Sequence, residues 1–338
     1  MLNPALEIED HANTVSLVVA VADYAAAPAI VSDSAIGTAR HCLIEILGLG
    51  FQALRDPERA ALVGPLVPGA LMPGGARVPG TSLELDPAQA AFCNSLLLCK
   101  AAGGDPLPAA SDGRAVDSFG AILAVADYQA RRFTMEGKSP PKVRDVLVAV
   151  VKALQIQRTL ALEEYGGSAA AALRLVRVAA TAVVAAQLGG TQGHIVTALS
   201  YACVDGESSI GLGGPRDISR RHWTTADAIS RCVRHACQAV TTGHSSYLTA
   251  AELEAMDVAG RLLGARPSGA KPRFGTAAIG AYRPRETAQL IPRFQAAVDG
   301  HFPARQAERI KALFASPERL DDLPVNELLA ALVTNGAR

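Results

Sequence analysis

Two short stretches carry the side chains best suited to chemistry. In Gly103–Tyr128, "GGDPLPAASDGRAVDSFGAILAVADY", Asp105, Asp112 and Asp117 stand with Arg114 in a Gly/Pro-broken loop that runs into an apolar helix. In "SRRHWTTADAISR", Arg220, Arg221, His222 and Trp223 are adjacent at a predicted helix start. A carboxylate or an imidazole can move a proton near neutral pH, whereas a guanidinium stays charged and grips carboxylates with two parallel hydrogen bonds. The free N–H groups of a helix start favour the same negative charge. These types predict a site for a small anionic substrate. Asp105 and His222 are its acid–base candidates, and Arg114, Arg220, Arg221 and Asp112 its binding candidates.

Plainer roles compete for each residue. Asp105 follows two glycines and precedes Pro106, which suits a turn, and Asp112 with Gly113 suits an Asx-type turn. Asp117 stands just before an apolar helix, where it reads as an N-cap. Arg114 could equally form a surface ion pair. The cluster at 220–222 could be a solvated face, with Trp223 anchoring the helix in the core and Asp227 pairing with Arg231 at i+4. Glu163 and Glu164 are neighbours and so face different sides of a helix. His41, His194 and His235 lie in helical blocks without metal-ligand spacing, and core or surface positions are expected for them.

The elements that would position these residues are almost all helical. In "KVRDVLVAVVKALQIQRTLALEEY", Val143, Val146, Leu147, Val150, Val151 and Leu154 make one apolar stripe, with Pro140–Pro141 before it and Gly166–Gly167 after it. Similar blocks are predicted near 14–26, 33–54, 87–101, 117–133, 169–188, 191–204, 221–241 and 247–263. Residues 63–82 read as irregular or short extended structure. A Gly/Pro/Arg-rich connector follows over 264–286, and then three amphipathic helices near 286–300, 303–316 and 322–335. The expected fold is an all-α, multi-helix bundle over 1–263, with the C-terminal helices of 287–338 packed back on it.

Composition narrows the partners. With 32 basic and 32 acidic residues the net charge is zero, and no basic stripe points to nucleic acid. No apolar run is long enough for a membrane span. The six cysteines include no CxxC pair, so they are expected as reduced apolar side chains rather than metal ligands. No Walker loop or dinucleotide fingerprint is present, and no cofactor is expected. A cytoplasmic protein acting on a small molecule fits these features.

Five segments together carry a resemblance. "RVPGTSLELDPAQAAF" (77–92), "GAILAVADY" (120–128), "LGGTQGHIVTALSYACVDG" (188–206), "RRHWTTADAISR" (220–231) and "PVNELLAALV" (324–333) resemble, in order, the MmgE/PrpD family. The resemblance implies a helical main domain that usually dimerises, so a homodimer is expected. It also implies dehydration of a hydroxy-tricarboxylate between that domain and an α/β lid. The connector at 264–286 leaves no room for such a lid.

Matched without gaps, the family's Asp-x-x-Asp falls on Ala102 and Asp105, and the following Thr on Pro106. The His of its His-Pro-Ser falls on Arg114, a further His on Ala172, and its lysine on Arg221. Arginine cannot exchange protons at any pH the protein survives. Arg114 and Arg221 therefore imply an anion clamp where the family keeps proton carriers, and His222 becomes the remaining imidazole near those positions. Three functions stay open at this point. The chain is a remodelled lyase, isomerase or cyclase for a larger anionic or carbonyl-bearing substrate, a dehydratase of the family's type, or a non-catalytic scaffold.

Overall fold

The predicted stripe of 143–154 is buried along one side of a helix, and this pattern repeats through the chain. A computed structural model describes residues 17–29, 31–101, 115–161, 169–205, 218–242, 274 and 287–334. A helical segment, α1, covers 17–26. It is followed by α2 (Asp33–Leu54) and α3 (Pro57–Ala60), then the short strands β1 (Ala76–Arg77) and β2 (Glu84–Leu85). Six long helices come next: α4 (Pro87–Ala101), α5 (Ala115–Met135), α6 (Val143–Leu160), α7 (Ala169–Gln187), α8 (Gln192–Val204) and α9 (Ile218–Thr241). The C-terminal part comprises α10 (Thr287–His301), α11 (Ala304–Phe314), α12 (Pro317–Asp322) and α13 (Val325–Ala331).

Local signals account for most boundaries. Ser32 Oγ accepts from the Ala35 N–H at the start of α2, and Thr191 Oγ1 accepts from the His194 N–H at the start of α8. Before α6, the Asp145 carboxylate accepts from the Lys142 N–H at 2.8 Å. Asp117 differs from its expected place. The helix starts earlier, at Ala115, so Asp117 lies in its first turn rather than at the cap, still where the helix dipole favours a carboxylate. The helix expected over 322–335 is shorter, α13 from Val325 to Ala331, starting after Pro324, and a further short helix not expected, α12, precedes it at Pro317–Asp322. Residues 247–263 lie outside the described residues, as does the connector apart from Phe274, whose ring stacks on Tyr24 of α1 at 5.3 Å.

Three contacts fasten the C-terminal helices to the bundle. β1 and β2 pair antiparallel, Ala76 opposite Leu85, and the intervening turn passes through Gly80 at φ +81°. The Gly80 N–H donates to the Leu332 carbonyl, and its own carbonyl accepts from His301 Nε2 (2.7 Å) and Thr334 Oγ1 (2.9 Å). α10 lies along α2, where Phe51 meets Phe294, Phe302 and the His301 ring, and Gly48 lets the Phe294 backbone approach. Arg40 of α2 binds Asp321 of α12 through two hydrogen bonds of 2.9 and 2.8 Å. The C-terminal helices and the main bundle thus share one buried core.

Candidate functional site

Three long helices meet at one end of the bundle. Arg131 of α5 reaches Glu84, just before α4, at 2.7 Å, while Gly120 of α5 lies against Ser95 farther along α4. The contact positions rise along α4 as they fall along α5, so the two run antiparallel. The same holds for α4 and α9. The Asp86 charge acts on the Cys237 thiol near the end of α9, while Phe92 meets Trp223 near its start. The C-terminal half of α4, the first turns of α5 and the first turns of α9 therefore share one end. Ala101, the last residue of α4, and Ala115, the first of α5, both lie there.

The sequence candidates map onto this end in two ways. Asp105, Asp112 and Arg114 lie outside the described residues. Arg220, Arg221 and His222 occupy the first two turns of α9 in the backbone, and their side chains lie outside the described residues. Trp223, expected as a core anchor, is instead 51% exposed, with its ring edge-on to Phe92 at 4.8 Å between centroids. Ala226, Ile229, Val233 and Ala236 of the same helix are buried by neighbouring helices, and among the described residues Trp223 continues that stripe past the last of this cover.

Farther along α9 lies a charged cluster that spacing did not reveal. Asp205, the C-cap of α8, accepts from His235 Nε2 (3.1 Å), and the same carboxylate oxygen forms an ion pair with Arg231, 3.1 Å from its Nε. Arg177 of α7 donates to the carbonyls of Ala202 (2.5 Å) and Asp205 (2.8 Å). Arg231 also pairs with Asp227 at 3.3 Å, as its i+4 spacing predicts. Burial holds the His235 imidazole below its ordinary value, against the opposing pull of Asp205. His235 and the Asp205 carboxylate clamp the end of α8 onto α9. Asp205 stands in the quoted "VDG" segment, but only the fold brings it to His235, 30 residues away.

Between α4, α5 and α6 the packing is polar but tight. Gln157 Nε2 donates to Ser118 Oγ at 3.0 Å, with Gln157 fully buried and Ser118 nearly so. Asn94, Ser95 and Asp117 are also buried here. Behind them, Arg77 binds Asp127 as described in the Discussion, and Arg131 donates to the Gly75 carbonyl and to Glu84. Burial alone would raise the Glu84 carboxyl, but the Arg131 and Gly74 hydrogen bonds outweigh it and hold it below the usual range. These groups hold the hairpin against α5 rather than offering a free acid. Among the described residues, no group of three His, Cys, Asp or Glu side chains could hold a metal ion, and no helix is long and apolar enough to cross a membrane.

Comparison with known proteins agrees with this architecture. The model of the MmgE/PrpD N-terminal domain matches residues 19–265, well over half of the chain. The 2-methylcitrate dehydratase of Salmonella typhi is 42% identical over 237 residues, which are 69% of this chain and 49% of that enzyme. The 2-methylcitrate dehydratase of Cupriavidus necator is 42% identical over 238 residues, again 69% of this chain and 49% of the enzyme. The alkylcitrate dehydratase phiI of a fungal species is 34% identical over 206 residues, 58% of this chain and 40% of that protein. The chain spans about half the length of the 2-methylcitrate dehydratases that it matches. With this domain model matching well over half of its length, the chain belongs to the MmgE/PrpD family.

Proposed function

We propose that this protein is a carbon–oxygen lyase of the dehydratase type, acting on a citrate-like hydroxy-tricarboxylate at the shared end of α4, α5 and α9. The observation that carries this reading is the backbone placement of Arg220, Arg221 and His222 in the first two turns of α9, on a helical domain similar to those of 2-methylcitrate and alkylcitrate dehydratases. Two guanidinium groups and the free N–H groups of a helix start suit a ligand with several carboxylates.

Dehydration removes a proton from the carbon beside a carboxylate. A second proton goes to the departing hydroxyl, which leaves as water while the carbon–carbon double bond forms. His222 and Asp105 are the residues that can exchange those protons near neutral pH. Arg114, Arg220 and Arg221 hold charge without exchanging it, and Asp112 is proposed to bind a substrate hydroxyl. The reaction needs no cofactor in this scheme. Two copies of the chain are proposed to associate.

The test is to incubate the full chain with citrate and 2-methylcitrate and to follow alkene formation by ultraviolet absorbance and mass spectrometry. Turnover of either acid supports the reading. Calorimetric titration that finds no binding of either acid overturns it.

A further inference from the structure

We propose that the apolar loop over residues 61–75, together with Met135, is the face on which two copies of this chain meet. The proposal rests on the association of two copies put forward above, names the surface for it, and is independent of the reaction. Its starting point is a stretch of sequence that the candidate site leaves unused. From Ala60 to Ala76 no residue carries a polar side chain. Even so, Leu66 is 85% exposed, and Leu62, Val67, Leu71 and Met72 are exposed with it.

The fold holds this loop in shape. Pro65, Pro68 and Pro73 fix backbone φ angles along it. The Ala70 N–H donates to the Val67 carbonyl, and the Gly75 N–H to the Met72 carbonyl. At the start of the loop the Gly64 carbonyl accepts from Gln89 Nε2 at 2.7 Å, and near its end the Gly74 N–H donates to the Glu84 carboxylate at 2.9 Å. Arg131 donates to the Gly75 carbonyl, and Met135, 75% exposed, stands one turn farther along the same face of α5. Six of the eight exposed large apolar side chains among the described residues thus belong to this loop and the adjoining end of α5, while Trp223 and Ile291 stand apart on α9 and α10. A surface already fixed in this way loses little freedom when it is covered.

Charge and size point to a second copy as the occupant. A two-fold contact sets one surface against itself, so that surface must be complementary to itself. An uncharged centre meets this condition, and so does a rim of mixed sign. At α3 the rim carries Asp56, Glu58 and Arg59, with Asp56 and Arg59 2.9 Å apart. Around Met135 it carries Arg132, Glu136 and Lys138, which pair with one another. Acids and bases are balanced, so unlike charges face one another across the axis. An anionic membrane would call for a basic rim instead. Stable dimers use about 20–30 residues on each side, and α3, the loop and the end of α5 make a face of that extent.

The experiment measures the mass of the full chain over a range of concentrations by sedimentation equilibrium. The wild type is expected to be a dimer. Leu66→Ser should raise the dimer Kd by about 10²-fold, because each dimer loses two buried leucine side chains. The double change Leu66→Asp/Val67→Asp should leave a monomer throughout, since it sets like charges against each other in an apolar centre. Ile291→Asp, an exposed position outside the patch, should leave the dimer intact. Circular dichroism checks that each variant is folded, and if the double variant is not, the Leu66→Ser shift decides alone. A folded double variant that remains a dimer, or a Leu66→Ser protein with the wild-type Kd, overturns this surface and leaves the association of two copies standing. A wild type that is monomeric at every concentration overturns both. Binding of the wild type to vesicles of phosphatidylcholine and phosphatidylglycerol, lost in the double variant, would assign the loop to a membrane and overturn the proposal as well.

Discussion

Arg77 and Asp127 form a buried ion pair that ties the hairpin to α5. Arg77 Nε and Nη2 lie 3.2 and 3.0 Å from the two carboxylate oxygens, and the Arg77 N–H donates a third bond at 2.8 Å. Asp127 is fully buried and Arg77 is 8% exposed. Such a pair specifies geometry more than it adds stability, because both charges lose their water. Removing one partner leaves the other charge stranded. Arg77→Met should therefore cost about 3–5 kcal/mol in urea unfolding, and the double change Arg77→Met/Asp127→Leu should recover most of that loss. A double variant as unstable as the single one would contradict this view of the pair.

The same carboxyl gives stability a pH dependence. Burial raises Asp127 to about 6, although the Arg77 guanidinium and N–H and the charge of Arg131 pull it down. Its unfolded value is about 3.9, so the folded protein holds the proton more tightly. The stability from that protonation is complete below the unfolded value and is lost as pH rises through about 6. Relative to Asp127→Asn, the wild type should gain roughly 2 kcal/mol on going from about pH 7.5 to about pH 4.5. Urea unfolding of both proteins at the two pH values measures this, and a pH-independent difference would contradict a raised carboxyl.

The contact between α4 and α5 depends on a missing side chain. A Cβ on Gly120 would collide with Ser95 Oγ and stand 2.9 Å from the Ser95 backbone nitrogen and 3.1 Å from the Ala91 carbonyl oxygen. Overpacking of this kind costs about 1–3 kcal/mol, so Gly120→Ala should lower the melting temperature by several degrees. Adding Ser95→Gly should restore only part of it, since the backbone contacts remain. Full restoration would mean that the hydroxyl alone limits the approach of the two helices.

What was legible in the sequence follows from the range of the interactions involved. The α6 stripe of Val143 to Leu154 could be read because burial repeats with the helical period. Asp227 and Arg231 could be paired because i+4 neighbours are fixed within one helix. Asp205 and His235 could not, since their contact depends on how α8 and α9 pack. Trp223 misled for a related reason. Its place on the apolar stripe is local, but whether a neighbouring helix reaches that far is a property of the whole bundle. Short extended structure was legible in 63–82, where β1 lies, but its pairing with β2 was not, because two-residue strands carry no alternation. For the candidate site, residue types indicated an anion clamp, and the fold adds that the backbone of Arg220, Arg221 and His222 stands where three helix ends meet.

The account turns on a division of labour at the start of α9, in which arginines hold the substrate and one imidazole moves its proton. Steady-state dehydration of the best tricarboxylate substrate, measured for the wild type and His222→Gln, tests this most directly. The expected result is a fall of about 10²- to 10⁴-fold in kcat, the usual contribution of a positioned acid–base group, with KM nearly unchanged. A His222→Gln protein with wild-type kcat, or one whose only defect is a raised KM, would contradict the account.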